Sequence, residues 1–152
     1  MKTFFSIILS LLLFCSCKPQ EVKTESPYYF KCKINGASYS ITGETDTYAI
    51  LKTPETYWIY GTEVASGKDM YIRIPVNQGL GTIAMKGTTQ GSFLDTDKSN
   101  YHTNFNSGSG EITISERSTT TLKGKFSFIA NTFSSPIKKL TVTEGEFYVL
   151  IK

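Results

Sequence analysis

Histidine, tryptophan and cysteine are scarce in this 152-residue chain. Histidine and tryptophan each occur once, at His102 and Trp58, and cysteine occurs three times. A zinc site that needs several histidines is therefore excluded. The 16 lysines and arginines form no cluster interleaved with aromatic residues, so the sequence lacks the basic patch typical of a nucleic-acid binder. We accordingly predict no metal site, no cofactor and no nucleic-acid partner.

The first residues have the layout of a secretory signal. An apolar run from Phe4 to Phe14 follows the single charge of Lys2; as a helix it is roughly 16 Å long, too short for the ~30 Å hydrocarbon core of a bilayer. The run ends in FCSC, which resembles the bacterial lipobox, where a small residue precedes a cysteine that is acylated. We predict a lipoprotein signal peptide over residues 1–16 and a lipid on Cys17. An ordinary cleavable signal with incidental cysteines is the alternative.

A short polar segment follows the predicted lipid site. Residues 18–27 hold two prolines and show no periodicity, which is typical of a flexible linker. We therefore predict a lipidated cysteine and tether over residues 17–27 and a single domain over residues 28–152, a length that suits one domain. Lys18 stands where enteric lipoproteins of the inner membrane carry Asp. This comparison favours a lipid anchor in the outer membrane, facing either the periplasm or the cell surface.

The predicted domain has the pattern of an all-β protein. Apolar and polar residues alternate with period two, and no eleven-residue window of residues 28–152 has helical spacing. Asn35-Gly36 predicts an opening hairpin, because both residues tolerate positive φ. We predict an antiparallel β-sandwich of about nine or ten short strands. Residues 87–110 are expected to be irregular loops, in which only Tyr101 to Phe105 has the pattern of a strand. A closed lipocalin-like barrel is the alternative, since its strands alternate in the same way.

Both ends of the domain resemble a known group of sequences. The residues that carry the resemblance are Phe30–Gly36 (FKCKING), Glu111–Ile114 (EITI), Gly124–Ala130 (GKFSFIA) and Thr141–Phe147 (TVTEGEF). They are similar to uncharacterised lipoproteins common in Bacteroidota, which share a lipobox leader, an early strand ending in I-N-G, and closing strands of the forms G-x-F-x-F-x-A and T-V-T-x-G-x-F. The resemblance implies a cell-envelope β domain of unknown function. The resemblance implies no catalytic residues for this chain.

Four aromatic residues are the candidate ligand-binding group: Tyr57, Trp58, Tyr60 and Tyr71. In a strand, Tyr57 lies on one face while Trp58 and Tyr60 lie on the other, so aromatic side chains occupy both faces. If one set is exposed, it would stack on a sugar or contact a partner. The alternative is that a second sheet or a loop covers these rings.

Catalytic and calcium-binding patterns are incomplete. His102, with Asp95 or Asp97 and a serine, would supply the residue types of a triad, but no G-x-S-x-G motif is present. We predict no catalytic residues and expect His102 on a surface loop. The stretch Asp95 to Asn100 (DTDKSN) imitates the start of a calcium loop, but Asn100 stands where glycine is required. We expect an Asx-rich turn there.

Two further groups have both a functional and a structural interpretation. Cys32 shares the alternation of Phe30, so we expect a small core residue rather than a reactive thiol. Glu144 and Glu146 would lie about 7 Å apart on a regular strand, within the spacing of glycosidase carboxylates. A bulge at the intervening Gly145 would remove that geometry, and we expect solvated acids.

These observations lead to two functional hypotheses from different classes. The favoured one is a non-enzymatic, membrane-anchored envelope module that binds a glycan, a small ligand or another envelope protein, because an anchor and tether occur without an assembled catalytic group. The alternative is a hydrolase with a site in residues 87–110, which are rich in polar residues and include His102. A purely structural envelope role is the third interpretation.

Overall fold

The structure is a computed structural model that describes residues 26–152. The strands of this part are β1 (Tyr29–Ile34), β2 (Ala37–Thr42), β3 (Thr47–Thr53), β4 (Thr56–Glu63), β5 (Lys68–Pro75), β6 (Gly81–Ala84), β7 (Gln90–Leu94), β8 (Asn100–His102), β9 (Ser109–Arg117), β10 (Thr121–Thr132) and β11 (Lys139–Ile151). Residues 26–152 include no helix that could span a membrane. The predicted signal peptide, the lipid site at Cys17 and the tether up to residue 25 lie outside the described residues.

The eleven strands form one mixed sheet in the order β2-β1-β11-β3-β4-β5-β7-β8-β10-β9-β6. Only β11 and β3 pair in parallel, with Leu150 opposite Tyr48 and Ile151 opposite Ala49. The other pairings are antiparallel. The predicted all-β fold class is confirmed. The strand number exceeds the prediction slightly, and the parallel pair makes the sheet mixed rather than purely antiparallel.

The sheet curves back on itself. An additional pairing joins β10 to β11, so the hydrogen-bonded pairings run from β11 through β3, β4, β5, β7, β8 and β10 back to β11. Side chains from strands that are not neighbours in this order meet inside it. A Cβ on Gly61 of β4 would lie 2.5 Å from the Phe30 ring of β1, and one on Gly91 of β7 would lie 2.8 Å from the Phe128 ring of β10. One curved sheet thus supplies the two layers that enclose the core.

The core follows the predicted alternation. The largest fully buried side chains are Phe30, Phe93, Phe147, Ile59, Met70, Ile72, Ile74, Ile112, Ile114, Leu122, Val142 and Val149. Cys32 is 6% exposed, and its Sγ lies 4.0 Å from Sδ of Met70. Its predicted place in the core is confirmed, and burial raises the pKa of the thiol to about 12. The thiol is therefore protonated and unreactive at neutral pH.

The opening hairpin is also confirmed. Asn35 and Gly36 have φ values of 49° and 85°, the two positive values that a type I′ turn needs. Asn35 Oδ1 also accepts a hydrogen bond from the backbone N–H of Thr141 at 2.9 Å. The turn is thereby tied to the first residues of β11, and it marks one end of the domain.

The prediction of irregular loops over residues 87–110 is wrong in part. This range contains β7, β8 and the beginning of β9. Four of the five β7 residues are buried, including Gly91 and Ser92, so the strand lacks the alternation by which half-buried strands are recognised. The predicted strand over Tyr101 to Phe105 is shorter and begins earlier, at Asn100, and it places His102 within β8 rather than on a loop.

Candidate functional site

Aromatic side chains form a line across the outer face of the sheet. Cross-strand register places Tyr48 of β3 opposite Tyr60 of β4, and Tyr60 opposite Tyr71 of β5. Tyr71 is in turn opposite Ser92 of β7, which is opposite His102 of β8. Trp58 lies two residues before Tyr60 on the same face. We call Tyr48, Trp58, Tyr60, Tyr71 and His102 the aromatic strip.

The rings of the strip stack mainly on one another. Trp58 and Tyr71 have centroids 4.6 Å apart and planes 18° apart, and Tyr48 and Tyr60 are 5.1 Å and 28° apart. At one end, the Lys152 ammonium lies 4.4 Å from the Tyr48 ring centroid. Because ring faces are turned towards neighbours, the middle of the strip offers ring edges and polar tips rather than free faces.

The polar groups of the strip are partly shielded from solvent. Burial, reinforced by Tyr48, Asp69 and Tyr71, raises the pKa of Tyr60 to about 12. Tyr71 Oη lies 2.8 Å from His102 Nε2. Burial, and then the charge of Arg73, lower the pKa of His102, so the imidazole is neutral at neutral pH.

Three of the four predicted ligand-binding residues come together, and Tyr57 does not. Trp58, Tyr60 and Tyr71 lie within 6.1 Å of one another by ring centroids. Tyr57 points to the inner side of β4 and packs against the core. Its ring is covered by the guanidinium of Arg117, at 5.4 Å. The side chains of a strand alternate between its faces, so Tyr57 cannot join the strip.

The strip continues into a cleft beside β8. The His102 and Phe105 rings are 5.0 Å apart by centroids, and the Phe105 and Phe133 rings are 5.4 Å apart. Phe133 follows the last residue of β10 and is 80% exposed. It borders an open cleft of about 530 Å³, a size typical of small-ligand sites. We call this the Phe133 cleft.

An ion pair crosses the wall of the Phe133 cleft. Lys138 Nζ donates to Asp97 Oδ2 at 2.8 Å and to Ser99 Oγ at 2.9 Å. The hydrogen bond from Lys138, with those from Ser99, lowers the pKa of Asp97 to about 2. Both charges remain about half exposed to solvent. The cleft therefore offers a carboxylate, an ammonium and hydroxyl groups beside one exposed ring.

The stretch Asp95 to Asn100, which imitates the start of a calcium loop, is a turn, as expected. Asp95 Oδ1 accepts from the N–H of Thr96 at 2.7 Å, and Asp97 Oδ1 accepts from the N–H of Ser99 at 2.8 Å. Among residues 26–152, no group of three or more His, Cys, Asp or Glu residues is arranged to hold a metal ion. The carboxylates instead shape the loop that forms one wall of the cleft.

The residue types of a triad are not assembled. The hydrogen bonds of Asp95 and Asp97 are to their own turn and to Lys138, whereas His102 bonds to Tyr71. No hydrogen bond within residues 26–152 joins His102 to either aspartate. The imidazole lacks the carboxylate that would orient it as a base.

Glu144 and Glu146 lie at a β-bulge. Glu144 has a φ of 52°, and the register of β11 with β1 shifts beside it. Glu144 pairs with Lys33 at 2.8 Å, whereas Glu146 pairs with Lys31 at 3.0 Å and with Lys125 at 3.6 Å. The regular two-residue spacing on which the glycosidase comparison depends is therefore lost. These acids line a second open groove of about 650 Å³ on the charged face of β1 and β11.

Sequence patterns did not identify Phe105, Phe133 or Lys138 as site residues. Phe133 lies in the segment TFSSPIKK, where no alternation continues, and Asp97 is 41 positions earlier than Lys138. The one available signal is an aromatic residue beside serines and proline in a loop between strands. The meeting of this loop with the Asp97 turn depends on the β8–β10 pairing, which the sequence does not reveal.

One family model matches the chain. The model of a Domain of unknown function (DUF6252) covers residues 27–150. This range includes the aromatic strip apart from its Lys152 contact, and it includes the whole Phe133 cleft. No curated protein and no solved structure matches the chain. The chain therefore belongs to the family described as Domain of unknown function (DUF6252).

Proposed function

We propose that this protein is a Bacteroidota-type envelope lipoprotein, anchored in the outer membrane through a lipid on Cys17, whose β domain binds a ligand without catalysing a reaction. The observation that carries the binding role is the Phe133 cleft, where an 80% exposed phenylalanine borders an open polar cavity. Large exposed apolar side chains beside a concave polar surface are typical of recognition sites. A catalytic role has no comparable support, because His102 is bonded to Tyr71.

The position of the cleft supports this proposal. Tyr29, next to the predicted tether, is opposite Tyr148 of β11, whereas the cleft lies at the other end of β11, before Lys139. Tyr148 and Lys139 are therefore about 30 Å apart along β11, at a rise of ~3.3 Å per residue. A domain held by its tether would therefore present the cleft at the end away from the anchor.

The anchor is tested by the mass of the mature N-terminus. Full-length protein isolated from cell membranes is expected to begin at Cys17 and to carry the mass of two or three acyl chains. Cys17→Ala should leave the protein unprocessed and without an acyl mass, while the matched Cys15→Ala variant should be lipidated normally. A mature chain that starts elsewhere, with no acyl group on Cys17, would overturn the anchor.

The binding role is tested separately by photo-crosslinking in cells. A benzophenone amino acid at position 133 is expected to give a discrete adduct, because this ring borders the cleft. The control position is Leu80, which is 66% exposed and precedes β6. Gly81 of β6 is opposite Ile114 of β9, away from the cleft. Equal labelling at positions 80 and 133, or none at either, would contradict a binding site at the cleft.

A further inference from the structure

We propose that the Phe133 cleft binds a neutral saccharide, with one pyranose ring stacked on Phe133 and its hydroxyls bound by Asp97 and Lys138. This inference rests on the proposed binding function and names its ligand class. A pyranose has an apolar face of C–H groups and a rim of hydroxyls. It therefore requires a free aromatic face beside donors and acceptors of both kinds.

Phe133 is the ring of this aromatic series that is most open to solvent. The tyrosine and tryptophan rings of the aromatic strip are half-buried and stacked at 4.6 to 6.1 Å, whereas Phe133 is 80% exposed. Its one ring partner among residues 26–152 is Phe105, which meets it at a tilt of 59° and supports the ring from the side without covering both faces. A sugar ring can therefore pack on Phe133, as it cannot on Trp58.

The polar wall suits hydroxyl groups. The Asp97 carboxylate accepts hydrogen bonds and the Lys138 ammonium donates them, and the two groups lie 2.8 Å apart. Two adjacent hydroxyls of a sugar can bond to such a pair at once, one as donor and one as acceptor. Ser99 Oγ accepts from Lys138 Nζ and donates to Asp97 Oδ2, both at 2.9 Å, so it keeps one acceptor lone pair for a sugar hydroxyl.

At the Asp97–Lys138 ion pair itself, the charges favour a neutral sugar over an acidic one. The Lys138 ammonium is already neutralised by Asp97, and this carboxylate stays ionised because its pKa is lowered to about 2. A uronate or sulfate placed at the ion pair would meet the Asp97 carboxylate as well as the ammonium. Like charges at short range offset the attraction of the lysine.

A lipid surface is the competing partner for this loop. Phe133 and Ile137 are both exposed apolar residues, and two lysines follow them in the sequence. However, Lys138 is paired with Asp97, and Asp95 lies in the same turn, so two carboxylates offset part of the positive charge of Lys98, Lys138 and Lys139 that would attract anionic headgroups. The cleft also lies about 30 Å along β11 from the end that joins the predicted tether.

The test is isothermal titration calorimetry on the full-length protein, solubilised in lauryldimethylamine oxide because alkyl-glycoside detergents would compete. The probes are cellotetraose, maltotetraose, laminaritetraose, mannotetraose and chitotetraose, with a tetragalacturonate as the acidic comparison. At least one neutral probe is expected to bind, and the acidic probe to bind more weakly. Cys17→Ala protein should give the same affinity, since the cleft does not involve the lipid. The two proposals can thus fail independently.

Phe133→Ala is expected to lower the affinity of the bound probe about five- to ten-fold, in line with the loss of one aromatic contact. Phe133→Tyr should retain binding, and Asp97→Asn should weaken it. Leu80→Ala is the matched control and should have no effect. All these side chains are largely exposed or half exposed, so unchanged thermal midpoints should show that folding is intact.

Three results would overturn the saccharide proposal. The first is that no neutral probe binds at millimolar concentration. The second is that a probe binds with the same affinity to Phe133→Ala. The third is that vesicles of phosphatidylethanolamine and phosphatidylglycerol bind the Cys17→Ala protein in a manner that depends on Phe133, since that result would assign the loop to a membrane surface.

Discussion

Tyr71 and His102 are joined by a hydrogen bond across an intervening strand, with Tyr71 Oη 2.8 Å from His102 Nε2. Ser92 of β7 is opposite both residues and is 1% exposed. A larger residue at this position would separate the tyrosine from the imidazole. The small serine therefore lets the aromatic strip continue across β7, which contributes no ring to this outer face.

This bond leads to a prediction about stability and pH. Burial and Arg73 lower the pKa of His102 in the folded protein, so below about pH 6.5, the ordinary pKa of histidine, the unfolded chain binds more protons. The free energy of unfolding should therefore be highest above this pH and decrease as the pH falls towards the folded-state pKa. Urea unfolding between pH 5 and pH 8 measures the effect.

The matched variant for this experiment is His102→Gln, which keeps a polar partner for Tyr71 but does not titrate in this range. Its free energy of unfolding should decrease less between pH 8 and pH 5 than that of the unmodified protein. An identical decrease in both proteins would show that His102 does not contribute to the pH dependence.

Gly61 provides a test of how closely the two layers pack. An added Cβ would lie 2.5 Å from Cγ of the Phe30 ring, which is fully buried. Gly61→Ala should lower the free energy of unfolding by about 1–3 kcal/mol, because Phe30 cannot move without disturbing the core. Gly79→Ala is the control, since nothing lies within 4 Å of the position that its Cβ would occupy. Equal effects of the two substitutions in chemical unfolding would contradict the close contact.

The fold could be predicted from sequence wherever one face of a strand is buried and the other is exposed to solvent. Met70, Ile72 and Ile74 alternate with polar neighbours in β5, and all three are fully buried. β7 could not be predicted in this way because Gly91 lies under Phe128 and Ser92 is covered on the opposite face. Burial on both sides removes the period-two signal.

The candidate site was only partly predictable, for a different reason. Trp58 and Tyr60 lie two residues apart, so strand periodicity alone places them on one face. The contact between Asp97 and Lys138 joins residues 41 positions apart and depends on which strands pair. Pairing order is a property of the whole sheet, and local alternation does not encode it.

Cys32 leads to a prediction about chemical reactivity. It is the only cysteine after Cys17, and its burial raises the pKa of the thiol to about 12. In protein expressed from residue 26, the thiol should not react with Ellman's reagent at pH 8 and should react fully in urea. Rapid reaction of the native protein would contradict the buried position.

A substitution series at the same residue measures the cost of a polar atom in this part of the core. Cys32→Ser should destabilise the domain by about 1–3 kcal/mol, because the hydroxyl would lie against Met70 in place of the thiol. Cys32→Ala leaves only a small void and should cost less. Greater stability of the serine variant than of the alanine variant would show that the hydroxyl finds a partner there.

Arg117 holds the loop before β6 and covers Tyr57. Its two terminal nitrogens donate to the backbone carbonyls of Gln78 and Val76 at 2.6 and 2.8 Å. Lysine cannot reproduce this planar fork, so Arg117→Lys should cost about 1–2 kcal/mol in unfolding experiments. The control is Arg73→Lys, because within residues 26–152 the Arg73 side chain donates a single hydrogen bond, to the Thr88 carbonyl at 2.9 Å. Arg73→Lys should therefore lower the free energy of unfolding by less than Arg117→Lys does.

The same arginine separates a structural role of Tyr57 from the ligand-binding role predicted from sequence. Since the Arg117 guanidinium lies 5.4 Å from the Tyr57 ring centroid, Arg117→Lys should speed amide hydrogen exchange in residues 76–80 and leave the affinity of the Phe133 cleft for its saccharide probe unchanged. Tyr57→Leu should have the same two effects. If either substitution lowers the affinity in calorimetry while exchange in this loop stays constant, Tyr57 belongs to the binding site after all.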